Sequence, residues 1–231
     1  MKVNPNIQKI IAKRVLSEEE ENKRKEPSGR LSASRLGWPL QWQMLHHFKV
    51  PQKEIDEYTL RKFQRGKDVE ERVMKWLAPK PEDMQVDAQY RGVVGFIDVI
   101  MEYPIEVKSV TNMAFKYIQK SGPKFGHMMQ GELYAKAKGF NKYGVAYVAS
   151  DDYRVLCYEL DVSGEVDKII DDYEAQVKIG KVPLFDPREK WHSIQDYNPY
   201  AEWQKLDEKQ IEEKLYNEYN VKTGGVTSLF Y

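Results

Sequence analysis

The segment Val93–Ile100 reads VVGFIDVI, an apolar strand with one acid, Asp98, inside it. An ionised carboxylate costs too much in an apolar setting unless something partners it. The next apolar segment, Ile105–Val110, alternates Ile105 and Val107 with Glu106 and Lys108. A period of two puts Glu106 and Lys108 on one face and the aliphatic residues on the other. A hairpin centred on Glu102 sets Asp98 opposite Glu106. The two strands then bring two carboxylates and a lysine onto one patch of a largely apolar sheet. Clustered carboxylates repel unless neutralised. A divalent cation does that, and hard oxygen ligands suit Mg²⁺ or Mn²⁺. Such an ion also lowers the pKa of a bound water and stabilises charge developing on a phosphate. The plainer reading is a buried ion pair between Lys108 and one of the acids.

The rest of the chain supplies a frame. Its 231 residues suffice for a full domain core, and 36 Lys+Arg balance 36 Asp+Glu. Zero net charge means that any basic nucleic-acid-binding surface is local. One cysteine, Cys157, excludes a disulfide framework, a Cys-rich zinc site and a four-thiolate iron–sulfur cluster. Set among Val155, Leu156 and Tyr158, Cys157 is expected to be a small core residue. No run of about 18 apolar residues occurs, so no membrane span is expected. The polar N-terminus shows no secretory signal, and a cytoplasmic location is expected, host cytoplasm for a viral protein.

Residues 1–30 are expected to form a charged helix or arm, and residues 31–231 one domain with a helical tail. Ser32 is expected to cap a helix start, and a short buried helix or turn follows around Leu36–Leu45. Lys53–Leu77 reads as helix, ended by Pro79. Strands are expected at Val86–Tyr90, Val93–Ile100 and Ile105–Val110, with helix at His127–Lys138 closed by Gly139. A hairpin, Tyr143–Ala149 with Arg154–Leu160, turns at Asp151-Asp152, and helices are expected at Val162–Val177 and near Glu208–Tyr219. The order predicts an α/β fold with a central mixed β-sheet flanked by helices.

Two further patterns flank the acidic strands. In Gly66-Lys67-Asp68-Val69-Glu70, helical spacing puts Gly66, Glu70, Val73 and Leu77 on one face, and Glu71 with Lys75 on a more polar one. In Gln130-Gly131-Glu132-Leu133-Tyr134, Gln130 and Tyr134 share a helix face at i and i+4. Asp98, then Glu106-x-Lys108, with these two patterns in this order, resembles the PD-(D/E)XK nuclease superfamily, in its RecB-type and lambda-exonuclease-type branch. The resemblance covers about residues 60–150 and extends to Ser32–Leu36. It implies a restriction-endonuclease-like core and a metal-dependent DNA exonuclease leaving 5′-phosphate products. Structure-specific endonuclease activity, another polymer such as RNA, and a non-catalytic nucleic-acid-binding role remain alternatives. The recombination, repair and phage or mobile-element settings of such nucleases are implied with it.

The resemblance implies that Glu70, Asp98, Glu106 and the Val107 carbonyl hold Mg²⁺ or Mn²⁺. It makes Lys108 the group that orients and activates water, and Gln130 and Tyr134 the groups that hold site geometry. Arg35 is implied as a phosphate contact. The iron–sulfur cysteines of the CRISPR-adaptation nucleases are absent, so no cluster is expected. DNA is the expected partner, with a homo-oligomer or a recombination protein as further partners and no membrane.

Among residues near these patterns, Ser109 follows the lysine directly and is placed for a hydrogen bond near the site. Lys116, Lys120 and Lys124 recur every four residues and could track a phosphate backbone. Phe115 and Tyr117 could stack on bases. An ordinary charged surface is the plainer reading of that stretch. His127 is expected to be a capping or solvated histidine, and His46-His47 to be structural. The aromatic tail with Trp191, Tyr197, Tyr200 and Trp203 either closes an interface or packs on the domain.

Overall fold

The computed structural model describes residues 5–21, 28–186, 188 and 198–223. Five strands form one sheet in the order β1-β2-β3-β4-β5: Met84–Tyr90, Val93–Ile100, Pro104–Val110, Lys142–Ala149 and Val155–Asp161. Only β3 and β4 are parallel; the other neighbours are antiparallel. The sheet is therefore mixed, and helices flank it, as the order of elements predicts. Helix α1 is Pro5–Glu21, α2 Leu40–His47, α3 Glu57–Leu77, α4 Asn112–Ser121, α5 Phe125–Lys138, α6 Glu165–Ile179 and α7 Glu208–Tyr219. No helix among the described residues is long and apolar enough to cross a membrane.

Helix α3 covers one face of the sheet. Its Val69, Val73 and Met74 pack on Val99, Ile105, Val107, Ala146 and Val148. Each fully buried aliphatic side chain contributes about 1.5–3 kcal/mol. On the other face, α5 sets Met129, Leu133 and Tyr134 against Ala88, Val93 and Ile97. Helices α4 and α5 make the crossover that parallel strands require, and Phe115 and Ile118 of α4 bury against Tyr143, Val145 and Tyr147. A separate aromatic core joins α2 to the tail, with Trp42, Met44 and Leu45 against Tyr200, Trp203, Ile211 and Leu215. Tyr200 and Trp203 thus pack on the domain, while Trp191 and Tyr197 lie outside the described residues.

Several expectations need correction. Ser32 stands at the N-cap of a short 3-10 turn, Ala33–Arg35, but its hydroxyl makes no capping bond and instead accepts from Arg35 Nη1 at 2.7 Å. Helix α3 begins at Glu57, four residues later than expected, because Asp56 caps it by accepting from Thr59 N at 2.8 Å. Cys157 is exposed. Strand β5 is an edge strand with one solvated face, and Val155, Cys157 and Glu159 alternate onto it.

An irregularity in the first two strands helps shape the site. Along a regular strand, residues two apart share a face. Yet Met84 and Val99 join the α3 core, whereas Val86 and Ile97 join the α5 core. The ladder pairs Met84 with Val99 and Val86 with Ile97. Between those pairs, at Gln85 and Asp98, both strands exchange faces. Gln85 has φ +51°, a left-handed conformation that costs a residue with a Cβ roughly 1–2 kcal/mol.

Candidate metal and nucleic-acid site

Strands β2 and β3 pair only at their turn-proximal end, Val99 with Ile105 and Ile100 with Pro104. That register centres the turn on Glu102. Beyond it the strands part, and side chains fill the split. Asp98 Oδ2 accepts from Val107 N at 2.8 Å, and Glu70 Oε1 accepts from Ser109 N at 2.8 Å. Two backbone donors on the open edge of β3 are thus satisfied by carboxylates from β2 and α3. In a strand, a residue's N–H and C=O point the same way, so the Val107 carbonyl also faces this split.

Glu70 reaches β3 because α3 lies close at Gly66, where an added Cβ would meet Ser109 Oγ at 2.9 Å. Glu71 points away and pairs with Lys75 in solvent. Glu106 is 1% exposed and forms an ion pair with Lys108 through Oε1. Beyond Lys108, no amide or hydroxyl donates to either Glu106 oxygen, and Asp98 lies within hydrogen-bonding reach of the same carboxyl.

The electrostatics follow from this burial. Burial pushes Glu106 up to about 8, with the Asp98 and Glu70 charges adding to it against the pull of Lys108. Burial also raises Asp98 and Glu70, again opposed by Lys108. Burial alone would lower the Lys108 ammonium, but Glu106 and Asp98 outweigh it and hold the group charged above its ordinary range. Three carboxyl groups face one ammonium, an excess of two negative charges when all ionise. Among the described residues, no three Asp, Glu, His or Cys side chains already form a metal cage. The donor set still suits a hard divalent cation: three carboxylates, one lacking any amide or hydroxyl donor, and a backbone carbonyl.

Helix α5 forms the opposite wall. Gln130 Nε2 donates to Tyr134 Oη at 2.9 Å, joining two residues that share a helix face. Tyr134 packs on β2 at Gly95, where a Cβ would lie 2.7 Å from Ala33 Cβ and 3.0 Å from the Tyr134 ring. Burial, then the Glu106 charge, raise the Tyr134 hydroxyl. His127 is not a cap, and it is half-buried rather than freely solvated. Its Nδ1 lies 3.0 Å from Tyr147 Oη, and that hydroxyl also accepts from Lys124 N. Burial, then the charges of Lys108 and Lys124, pull His127 down to about 3.

The residues expected to contact nucleic acid are dispersed. Ser109 is occupied with Glu70 and Gly66. Arg35 bonds Ser32 and lies 5.3 Å from the Trp38 ring, and its buried Nε has no partner. Lys116 and Lys120 share the exposed side of α4 with Met113 and Tyr117. Lys124 leaves that stripe because Gly122, at φ +85°, ends α4 first. Phe115 is 5% exposed and cannot stack on a base. His46 is buried, and His47 Nδ1 sits 3.0 Å from Tyr173 Oη.

Sequence reasoning missed Gln85, whose Nε2 donates to Asp98 Oδ1 at 2.8 Å. Nothing local signals it, since the partner lies 13 residues away. It also missed Glu132, a buried acid within the apolar face of α5. There the signal was present, an acid directly before Leu133.

No family model and no curated protein matches the chain. Among solved structures, SSO0001 is similar at a TM-score of 0.50 and 18% identity, over 81% of this chain and 91% of that one. That likeness shows a shared fold. An alkaline exonuclease (LHK-Exo) from Laribacter hongkongensis is similar at 0.49 and 15% identity, over 64% of this chain and 88% of that one. LHK-Exo in complex with dAMP gives 0.43 and 16%, over 65% and 85%.

Proposed function

We propose that this chain is a Mg²⁺- or Mn²⁺-dependent deoxyribonuclease of the PD-(D/E)XK kind, acting as an exonuclease that leaves 5′-phosphate products. The observation that carries the reading is Glu106, a fully buried carboxylate lacking any amide or hydroxyl donor, in a strand split lined by Asp98 and Glu70. Asp98, Glu106 and the Val107 carbonyl would hold the ion, and Glu70 would complete the site. When bound, the ion would activate water and offset charge on the scissile phosphate.

The chain's own groups do the rest. Lys108, kept charged by Glu106 and Asp98, donates to the attacking water, orients it and balances negative charge as it develops. Gln130 and Tyr134 brace β2 from α5, which fixes the wall carrying Asp98. Arg35, Lys116, Lys120 and Lys124 are proposed to meet the phosphate backbone outside the reacting centre, and Ser109 to keep Glu70 in place. The second reading is a protein that binds nucleic acid without cutting it.

Linear DNA labelled at either end, single- and double-stranded, with Mg²⁺, Mn²⁺ or EDTA, separates the two. Cleavage that needs metal and vanishes in a folded Lys108→Ala variant is the expected result. Metal-independent binding with no cleavage of any substrate by the wild type would overturn the enzyme reading.

A further inference from the structure

Five described residues other than glycine have positive φ: Lys49, Gln85, Arg91, Tyr153 and Asn220. Four lie at turns or helix ends, where that conformation is ordinary. Gln85 alone lies inside a strand. It is exposed overall, and the contacts its side chain makes run through its amide. It stands where β1 and β2 exchange faces, beside the one acid of β2. Its amide Nε2 donates to Asp98 Oδ1 at 2.8 Å and passes 3.3 Å from Met74 Sδ. Glycine would hold this backbone without strain, but it has no amide to offer Asp98.

We propose that Gln85 is a positioning residue. Its left-handed backbone aims the side-chain amide at Asp98 Oδ1, which turns Oδ2 onto Val107 N and fixes the carboxylate in the split between β2 and β3. Local strain kept where a functional group must be aimed is a recurrent arrangement. The inference rests on the reading of Asp98 as a working carboxylate, but its geometry is testable without any activity.

The test uses the full chain, wild type against Gln85→Gly and Gln85→Asn. Both substitutions tolerate positive φ; the first removes the amide, and the second shortens its reach. Amide hydrogen exchange at Val107 reads the Asp98 bond directly. The Ser109 amide, held by Glu70, serves as internal control. Exchange at Val107 is expected to quicken at least about tenfold in Gln85→Gly, with Ser109 unchanged and unfolding no earlier than in the wild type. Calorimetric titration with Mn²⁺ is expected to show affinity weakened several-fold in the same variant, with Gln85→Asn intermediate. Val107 exchange unchanged in both variants would overturn the proposal, as would equal acceleration at Ser109. A wild type that binds no Mn²⁺, with Val107 still responding to Gln85, would sink the nuclease reading and leave the positioning role standing.

Discussion

Glu106 and Glu132 are both buried glutamates, 1% and 0% exposed, yet their surroundings are opposite. Glu132, on α5, accepts from Ser163 N and Oγ, Gly164 N and Val166 N, at 3.1, 2.6, 2.8 and 3.4 Å. It closes the N-terminus of α6, where Gly164 takes φ +86° and offers no side chain as a cap. Every donor around Glu132 finds its acceptor, and the helix end favours negative charge. Glu106 has Lys108 on one oxygen and no amide or hydroxyl donor on either, with Asp98 in reach and Asp98 and Glu70 adding like charge. A buried acid with its full set of donors is a structural joint. A buried acid left short of donors among like charges is a cost that folding alone does not explain.

The largest expected effect separates the two by function. Glu106→Gln is expected to lower metal-dependent cleavage by about 1000-fold or more, in line with losing a group that acts at the reacting centre. Glu132→Gln is expected to keep its activity per folded molecule. End-labelled DNA assays on both variants, normalised to the folded fraction, check this. Equal losses at the two positions would erase the contrast.

The second effect is on stability and runs the other way. Glu132→Ala is expected to cost about 3 kcal/mol in urea unfolding, because buried N–H groups at the start of α6 lose their acceptor. Glu106→Gln in EDTA is expected to unfold no earlier than wild type at pH 8, since it removes one of three like charges. A large loss of stability in Glu106→Gln would mark Glu106 as a structural ion pair after all.

The pH dependence sharpens the same point. Glu106 is raised to about 8 in the folded chain, against an ordinary value of 4.5. The folded state therefore keeps a proton that the unfolded state gives up. Metal-free stability is expected to fall as pH rises from about 4.5 to about 8, by on the order of 1 kcal/mol or more. The slope should shrink in Glu106→Gln and flatten in wild type on adding Mn²⁺, which competes for the same oxygens. Urea midpoints at pH 5 and pH 8, with EDTA or Mn²⁺, measure it. A wild-type slope indifferent to both changes would count against Glu106 as the group responsible.

What the sequence made legible was whatever its own neighbours determine. Strand Val93–Ile100 was readable from its apolar run, and the helix near Glu208–Tyr219 was expected where it stands. The turn centred on Glu102 followed from counting, and so did the facing of Glu70 against Glu71. The rest depended on distant partners. Cys157 looks like core until β5 proves to be an edge. His127 looks freely solvated until Tyr147 of β4 engages its ring nitrogen. The face exchange at Gln85 and Asp98 needs two strands at once, so no periodicity within either one announces it.

The smallest effect probes how fully Glu132 is satisfied. Ser163 gives it two bonds, and Ser163→Ala removes only the hydroxyl at 2.6 Å, leaving the backbone bond at 3.1 Å. Glu132 Oε1 keeps Gly164 N and Val166 N. The Ser163 hydroxyl also accepts from Glu165 N at 3.2 Å in the first turn of α6, but that site is exposed and water replaces the acceptor. The expected cost is about 1 kcal/mol, that of one hydrogen bond whose partner keeps others. Had Glu132 been as poorly supplied as Glu106, the same deletion would cost several times more. Urea unfolding of Ser163→Ala beside Glu132→Ala measures the ratio. Near-equal losses would show the hydroxyl to be the main support of that carboxylate, and the contrast with Glu106 would narrow accordingly.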